Sequence, residues 1–76
     1  MMVYDRAVAE RHRETLQLPV PFGETELRAA YRRLLWIWHP DRVLGQGEAY
    51  ARATERTQSL TVAYQFLLAL LKQHGG

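Results

Sequence analysis

The sequence predicts an all-α fold in which two long helices form an antiparallel hairpin and a short N-terminal helix covers one side. Two stretches carry apolar residues at the three- and four-residue spacing typical of amphipathic helices. No stretch alternates apolar and polar residues as a half-buried strand does. Segments containing proline or glycine, at 19–23 and 40–47, separate the helical stretches. A short connection between two amphipathic helices favours antiparallel packing, which predicts the hairpin.

The first helical segment is predicted over about residues 5–18, and it has the weakest pattern. Its apolar positions are sparse: Val8, Leu16 and Leu18. Pro19 and Pro21 forbid its continuation, because proline lacks an amide hydrogen and its ring clashes with the preceding turn. We expect this segment to lie against the helical pair.

The second segment is predicted over residues 24–38. Glu24 and Glu26 lie in its first turn, where negative charge interacts favourably with the helix dipole. Its apolar residues share one face and form the predicted core stripe, which consists of Leu27, Ala30, Tyr31, Leu34 and Trp38.

Basic residues line the edge of this segment opposite the core stripe. Arg28 and Arg32 lie on that edge, Arg33 lies on its flank, and His39 continues the line beyond the helix end. Pro40 ends the helix and favours an extended conformation at His39. A basic edge is often only a solvated face, but this one leads to a turn that displays an imidazole and a carboxylate.

The third segment is predicted over about residues 47–73 and has the longest amphipathic pattern. Glycines after residue 74 end it. Val62, Phe66 and Leu70 lie off its main stripe, where they could cover the first helix or bind a partner. The stripe itself consists of Tyr50, Ala53, Thr57, Leu60, Thr61, Tyr64, Leu67, Leu68 and Leu71.

The composition is that of one small domain, which we assign to residues 1–76. The chain has no cysteine, which excludes disulfides and thiolate metal sites. No apolar run approaches the ~20 residues that span a bilayer, and the N-terminus lacks a signal-peptide layout, so we expect a cytoplasmic location and no membrane contact by this segment. Nine arginines and one lysine against eight acidic residues leave a charge of only +2, which argues against nucleic-acid binding.

Residue chemistry alone allows three interpretations of His39, Pro40 and Asp41. As a catalytic base and its orienting group, His39 and Asp41 would have to face each other in a pocket, and the chain is too short to enclose one. As metal ligands, His12, His39 and His74 lack a ligand spacing. As a helix terminator, Pro40 stops the helix and Asp41 makes a local turn. We predict neither catalysis nor a metal or cofactor.

The stretch LRAAYRRLLWIWHPDRV, residues 27–43, resembles helix II and the His-Pro-Asp loop of J-domains, the modules of DnaJ (Hsp40) co-chaperones. The matching residues are Leu27, Arg28, Ala30, Tyr31, Arg32, Arg33, Leu34 and Trp38. Downstream, the family's helix III pattern IxxAYxxL is similar to the spacing of Leu60, Ala63, Tyr64 and Leu67. Upstream, ETLQL resembles the short first helix. The resemblance covers about residues 12–70 and suggests a domain core of about 12–72.

The resemblance implies a co-chaperone that docks on an Hsp70 (DnaK-type) chaperone and stimulates its ATP hydrolysis. We also expect the chain to be a monomer. J-domains do this through the basic face of helix II and the His-Pro-Asp loop, and they have no active site of their own. The residues implied by position to contact Hsp70 are His39, Pro40, Asp41, Arg28, Arg32, Arg33, Arg42 and Tyr31.

The sequence departs from the family pattern at several positions. Ile37 stands where the family usually has lysine, and Trp36 where leucine or methionine is common. Gln17 replaces the usual glycine after the first helix, and Gly23 the usual side-chain cap of helix II. The basic fourth helix is missing and the segment after His-Pro-Asp is enlarged, which resembles the C-terminal J-domains of DjlA/TerB-type proteins.

These departures leave an alternative function open. A degenerate J-like module could bind a different partner, or itself, through Trp36, Ile37, Phe66 and Leu70.

Overall fold

The structure, a computed structural model, describes residues 6–74 and contains three α-helices and one short 3₁₀-helix in that range. The elements are α1 (Arg6–Thr15), α2 (Glu24–Trp38), the 3₁₀-helix (Pro40–Val43) and α3 (Glu48–His74). No strand occurs among these residues. The predicted all-α fold, with a helical hairpin and a short N-terminal helix, is confirmed.

Helix α3 is the central element, because α1, α2 and the 3₁₀-helix all pack against it. The described residues form an elongated body of 46 × 22 × 17 Å. The principal hydrophobic core consists of Leu16, Leu18, Leu27, Ala30, Leu34, Leu60, Ala63 and Leu67. Both long helices therefore bury the central part of the stripes that their periodicity predicts. Helix α1 is joined to the core by the two leucines that follow it.

Helix α1 ends at Thr15 rather than at residue 18, so the predicted C-terminal boundary is wrong. Gln17 adopts a left-handed conformation with φ 55°. The Gln17 amide donates to the carbonyl of Glu14 (3.0 Å), and the Leu18 amide donates to that of Arg13 (3.1 Å). These two bonds form a Schellman motif, which ends a helix before any proline is reached. The turn allows Leu16 and Leu18 to enter the core.

The Arg13 side chain stabilises this turn from outside. Its Nη1 donates to the carbonyl of Leu18 (2.5 Å), and its Nη2 lies 2.8 Å from Oε2 of Glu10. The hydrogen bond with Arg13 lowers the pKa of Glu10, and the same bond raises the pKa of Arg13. The pair thus links the last turns of α1 to the segment that leads into α2.

Replacing Gln17 with glycine is expected to stabilise the domain by about 0.5–1 kcal/mol. A non-glycine residue in the left-handed region carries a steric cost of roughly 1–2 kcal/mol, and the greater freedom of glycine in the unfolded chain offsets part of the gain. Urea denaturation should show a higher midpoint with an unchanged slope. The control is Gln17→Ala, which retains the Cβ atom. Equal midpoints for the two variants would contradict this account.

Helix α2 begins at the predicted residue although its N-cap is glycine. The backbone of Gly23 is extended, and its amide donates to Oε1 of Glu26 (2.8 Å). This is the half of a capping box that needs no side chain at the N-cap. Glu26 thus partly compensates for the cap that Gly23 cannot provide.

Phe66 and Leu70 both pack against the core, and the Phe66 ring lies 4.6 Å from that of His12 on α1. Of the two roles considered for Phe66, covering the first helix is therefore the one observed, and its ring is less available to a partner. Val62 is different, because its side chain is 56% exposed.

Two aromatic residues predicted for the core stripes are exposed. Trp38 is 37% exposed and Tyr50 is 42% exposed, so both core assignments are wrong. Trp38 ends α2 and Tyr50 lies in the first turn of α3, next to the segment that connects the two helices. Helical periodicity gives the direction of a side chain but not where the opposing surface ends.

Candidate partner-docking surface

The turn formed by His39, Pro40 and Asp41, here called the HPD turn, begins directly after α2. His39 is extended (φ −60°, ψ 126°), as its position before proline favours. Its Nδ1 accepts a hydrogen bond from the Asp41 amide (3.2 Å), and its carbonyl accepts one from the Arg42 amide (3.1 Å). His39 is therefore the N-cap of the 3₁₀-helix. Because Nδ1 is an acceptor, the neutral ring carries its hydrogen on Nε2.

The geometry of the HPD turn does not form a catalytic pair. Oδ2 of Asp41 lies 3.6 Å from Nδ1 of His39, which is longer than a hydrogen bond, and Nδ1 already accepts from the Asp41 amide. The Asp41 side chain is 74% exposed and that of His39 is 51% exposed. The turn presents a carboxylate and an imidazole to solvent, an arrangement suited to contacting another molecule.

The basic edge of α2 reaches the HPD turn, but its arginines are not equivalent. The Arg28 guanidinium lies 2.6 Å from Oε2 of Glu24, which partly neutralises it. Arg32 and Arg33 are exposed and form no ion pair with residues 6–74. The positive charge that this edge offers to a partner therefore comes mainly from Arg32 and Arg33.

A family model for the DnaJ domain matches residues 12–73, which is most of the chain. The chain belongs to the DnaJ-domain family. The curated proteins and the solved structures gave no significant match. J-domains are in general co-chaperone modules rather than enzymes, and this general role applies to the chain.

Tyr31 of this J-domain was predicted both for the core stripe and as a partner contact, and its contacts lie within the hairpin. Its ring stacks on Tyr64 at a centroid distance of 4.3 Å and an interplanar angle of 10°. Its hydroxyl lies 2.9 Å from Oγ1 of Thr61, which itself donates to the Thr57 carbonyl (3.0 Å). Tyr31 therefore donates to Thr61, and its hydroxyl and ring join α2 to α3.

Arg42 has a structural role that sequence reasoning missed. Its Nη1 donates to the carbonyl of Trp36 (3.0 Å), and its guanidinium carbon lies 5.3 Å from the centroid of the Trp36 ring. A cation at a helix C-terminus satisfies an otherwise free carbonyl and interacts favourably with the helix dipole. The spacing of six residues across a helix end follows no period, so no sequence pattern indicated this contact.

The last turn of α2 in the J-domain is an exposed apolar surface beside the HPD turn. The side chain of Trp36 is 71% exposed and that of Ile37 is 54% exposed. A second arginine–tryptophan contact lies on the side toward α3, where the Arg56 guanidinium carbon is 5.3 Å from the Trp38 ring centroid. The Trp38 carbonyl accepts from Oγ1 of Thr57 (3.3 Å), which joins the end of α2 to α3.

The described residues hold no group of three or more His, Cys, Asp or Glu side chains placed to bind a metal. None of the described helices combines the length and apolar character needed to cross a bilayer.

Proposed function

We propose that this J-domain docks on an Hsp70 (DnaK-type) chaperone and stimulates its ATP hydrolysis. The observation that carries the proposal is the position of the HPD turn, which lies exposed at the end of a basic helical edge. Within it, His39 accepts hydrogen bonds from the amides of Asp41 and Arg42. The cytoplasmic location and monomeric state expected from the sequence belong to this proposal.

Each part of the surface has a physical role in the proposed docking. Arg32 and Arg33 attract an acidic surface of the partner, because complementary charges speed the encounter and set its register. The Asp41 carboxylate then accepts a charge-assisted hydrogen bond from a cationic group of the partner. His39 keeps the Asp41 backbone in place and can donate from Nε2, which has no hydrogen-bond partner among residues 6–74.

The test is a titration of the domain into a panel of DnaK-type Hsp70s while single-turnover ATP hydrolysis is measured. The rate should rise to a plateau with domain concentration, and added salt should raise the half-maximal concentration, because salt screens the exposed arginines. If the domain stimulates none of these Hsp70s, the proposal is overturned.

Replacing Ile37 with lysine, the usual residue of the family, is expected to lower the half-maximal concentration about 1.4- to fivefold at low salt. The added charge extends the positive edge to the HPD turn, and an exposed ion pair contributes roughly 0.2–1 kcal/mol. The matched control is Ile37→Gln, which removes the same apolar side chain without adding charge. The lysine variant should lose its advantage at high salt, and equal behaviour of the two variants would refute this role of charge.

A second candidate function is binding to another protein, or self-association, through Trp36 and Ile37. Their exposure favours it, whereas the packing of Phe66 against His12 weakens the larger surface envisaged from the sequence. Sedimentation velocity over a wide concentration range tests self-association, and an unchanged sedimentation coefficient would exclude it.

A further inference from the structure

We propose that Trp36 and Arg42 form a latch that holds the HPD turn in its docking conformation, which makes Trp36 a positioning residue for Hsp70 stimulation. The functional part of this inference rests on the function proposed above. The conformational part concerns this chain alone and can be tested without a partner.

The first observation is that Trp36 has little to do with the core. Its side chain is 71% exposed, and its ring contact among the described residues is with the Arg42 guanidinium, 5.3 Å from the centroid. The same guanidinium donates from Nη1 to the Trp36 carbonyl (3.0 Å). Arg42 thus contacts both the ring and the backbone of one residue in the last turn of α2.

The second observation is that the backbone of Arg42 is bonded to the HPD turn. Its amide donates to the carbonyl of His39 (3.1 Å), and the neighbouring Asp41 amide donates to Nδ1 of His39 (3.2 Å). The side chain of Arg42 therefore closes a ring that starts at Trp36 and contains the whole HPD turn. Pro40 restricts the backbone within this ring, because its own φ is fixed.

The consequence of this closure is preorganisation. A turn that already has its docking conformation loses less conformational entropy when it engages the partner. Because Arg32 and Arg33 attract the partner whether or not the turn is ordered, the latch raises the fraction of bound domains that stimulate hydrolysis, and with it the maximal stimulation. A planar guanidinium suits the role, because it can lie over an indole while it donates to a carbonyl, whereas a lysine ammonium is a compact point charge. The contacts of the latch do not involve the Asp41 carboxylate, which stays free to bind the partner as proposed above.

A different role for Trp36 would give different kinetics. If its ring were an anchor inserted into the partner, Trp36→Leu would raise the half-maximal concentration, and Arg42→Met would have a separate, additive effect. If the two residues act as one latch, each single variant should lower the maximal stimulation, by about three- to tenfold, and the double variant should be no worse, because coupled residues are not additive.

The chain contains a matched control. Arg56 lies at the same 5.3 Å from the Trp38 ring, but this contact joins α3 to the end of α2 outside the HPD turn. Like Arg42→Met, Arg56→Met removes one positive charge and one arginine–tryptophan contact at 5.3 Å. It is expected to leave maximal stimulation unchanged.

The experiment combines NMR of the full chain with the ATPase titration for wild type, Trp36→Leu, Arg42→Met, the double variant and Arg56→Met. In the wild type, the side-chain protons of Arg42 should be shifted upfield by the Trp36 ring current. Trp36→Leu should remove that shift, and both single variants should move the Asp41 amide resonance in the same direction. Circular dichroism should show that all variants keep the helical fold, because Trp36 and Arg42 are exposed.

The two arms separate the failure of the latch from the failure of the proposed function. Absence of the Arg42 ring-current shift, or an Asp41 amide that is insensitive to both variants, overturns the latch whatever the ATPase result. A wild type that stimulates no Hsp70 overturns the proposed function, and NMR still decides the latch. If the wild type stimulates an Hsp70 and both Trp36→Leu and Arg42→Met reach the same maximal stimulation, Trp36 is not a positioning residue.

Discussion

Replacing His39 with glutamine is expected to reduce the stimulation of Hsp70 ATP hydrolysis at least about tenfold while the helical fold is retained. The His39 side chain is 51% exposed and belongs to no core cluster, so its loss should cost little stability. It caps the Asp41 amide through Nδ1, and an acyclic glutamine holds that cap less rigidly. The charge-assisted hydrogen bond proposed for the Asp41 carboxylate is worth roughly 1.5–3 kcal/mol, which corresponds to at least tenfold in rate or affinity.

The measurement is the single-turnover ATPase titration described above, with circular dichroism and urea denaturation on the same samples. His12→Gln is the matched control, since it makes the same chemical change on α1, where the ring lies against Phe66. That variant should keep its stimulation per folded molecule even if its stability falls slightly. If His39→Gln stimulates hydrolysis as strongly as the wild type, the HPD turn has no role in the stimulation.

Replacing Leu60 with alanine is expected to cost about 2–5 kcal/mol of folding free energy. Leu60 is fully buried on α3 and belongs to a core that includes residues from α2 and from the segment after α1. Its truncation therefore leaves a cavity bordered by several elements, which cannot all close in. A domain of this length has a total stability of only about 4–11 kcal/mol, so a large part of it would be lost.

Thermal denaturation followed by circular dichroism should show a fall in Tm of about 8–40 °C, because 1 kcal/mol corresponds to roughly 4–8 °C in a domain of this size. The control is Val62→Ala on the same helix, where the side chain is 56% exposed and the expected change is below about 0.5 kcal/mol. Equal shifts for the two variants would contradict the central position of α3 in the core.

The agreement between sequence and structure is best where a local rule coincides with a buried face. Helix α2 has its predicted bounds, because glutamates favour its first turn and Pro40 prevents its continuation. Leu27, Ala30 and Leu34 are buried as their spacing predicts. The predicted end of α1 was wrong because prolines mark the last possible residue of a helix, whereas a left-handed residue can end it earlier.

The candidate surface was predicted in its composition but not in its internal contacts. The motif located His39 and Asp41 at the end of a basic edge, and the structure brings them together in one turn. It also pairs Arg28 with Glu24 and directs Tyr31 into the hairpin, so these two residues are less available than their positions in the motif suggest. The proposed contacts with Hsp70 stay predictions.

The sequence by itself determined the helical class, the hairpin, the family and the location of the HPD turn, because periodicity, proline and a linear motif are all local properties of the chain. Only the tertiary structure decided that Trp38 lies at the margin of the core and that Arg42 reaches back to Trp36. Both depend on where the helical pair ends and the chain reverses. Contacts across such an end join residues at no regular spacing, and a pattern along the chain cannot reveal them.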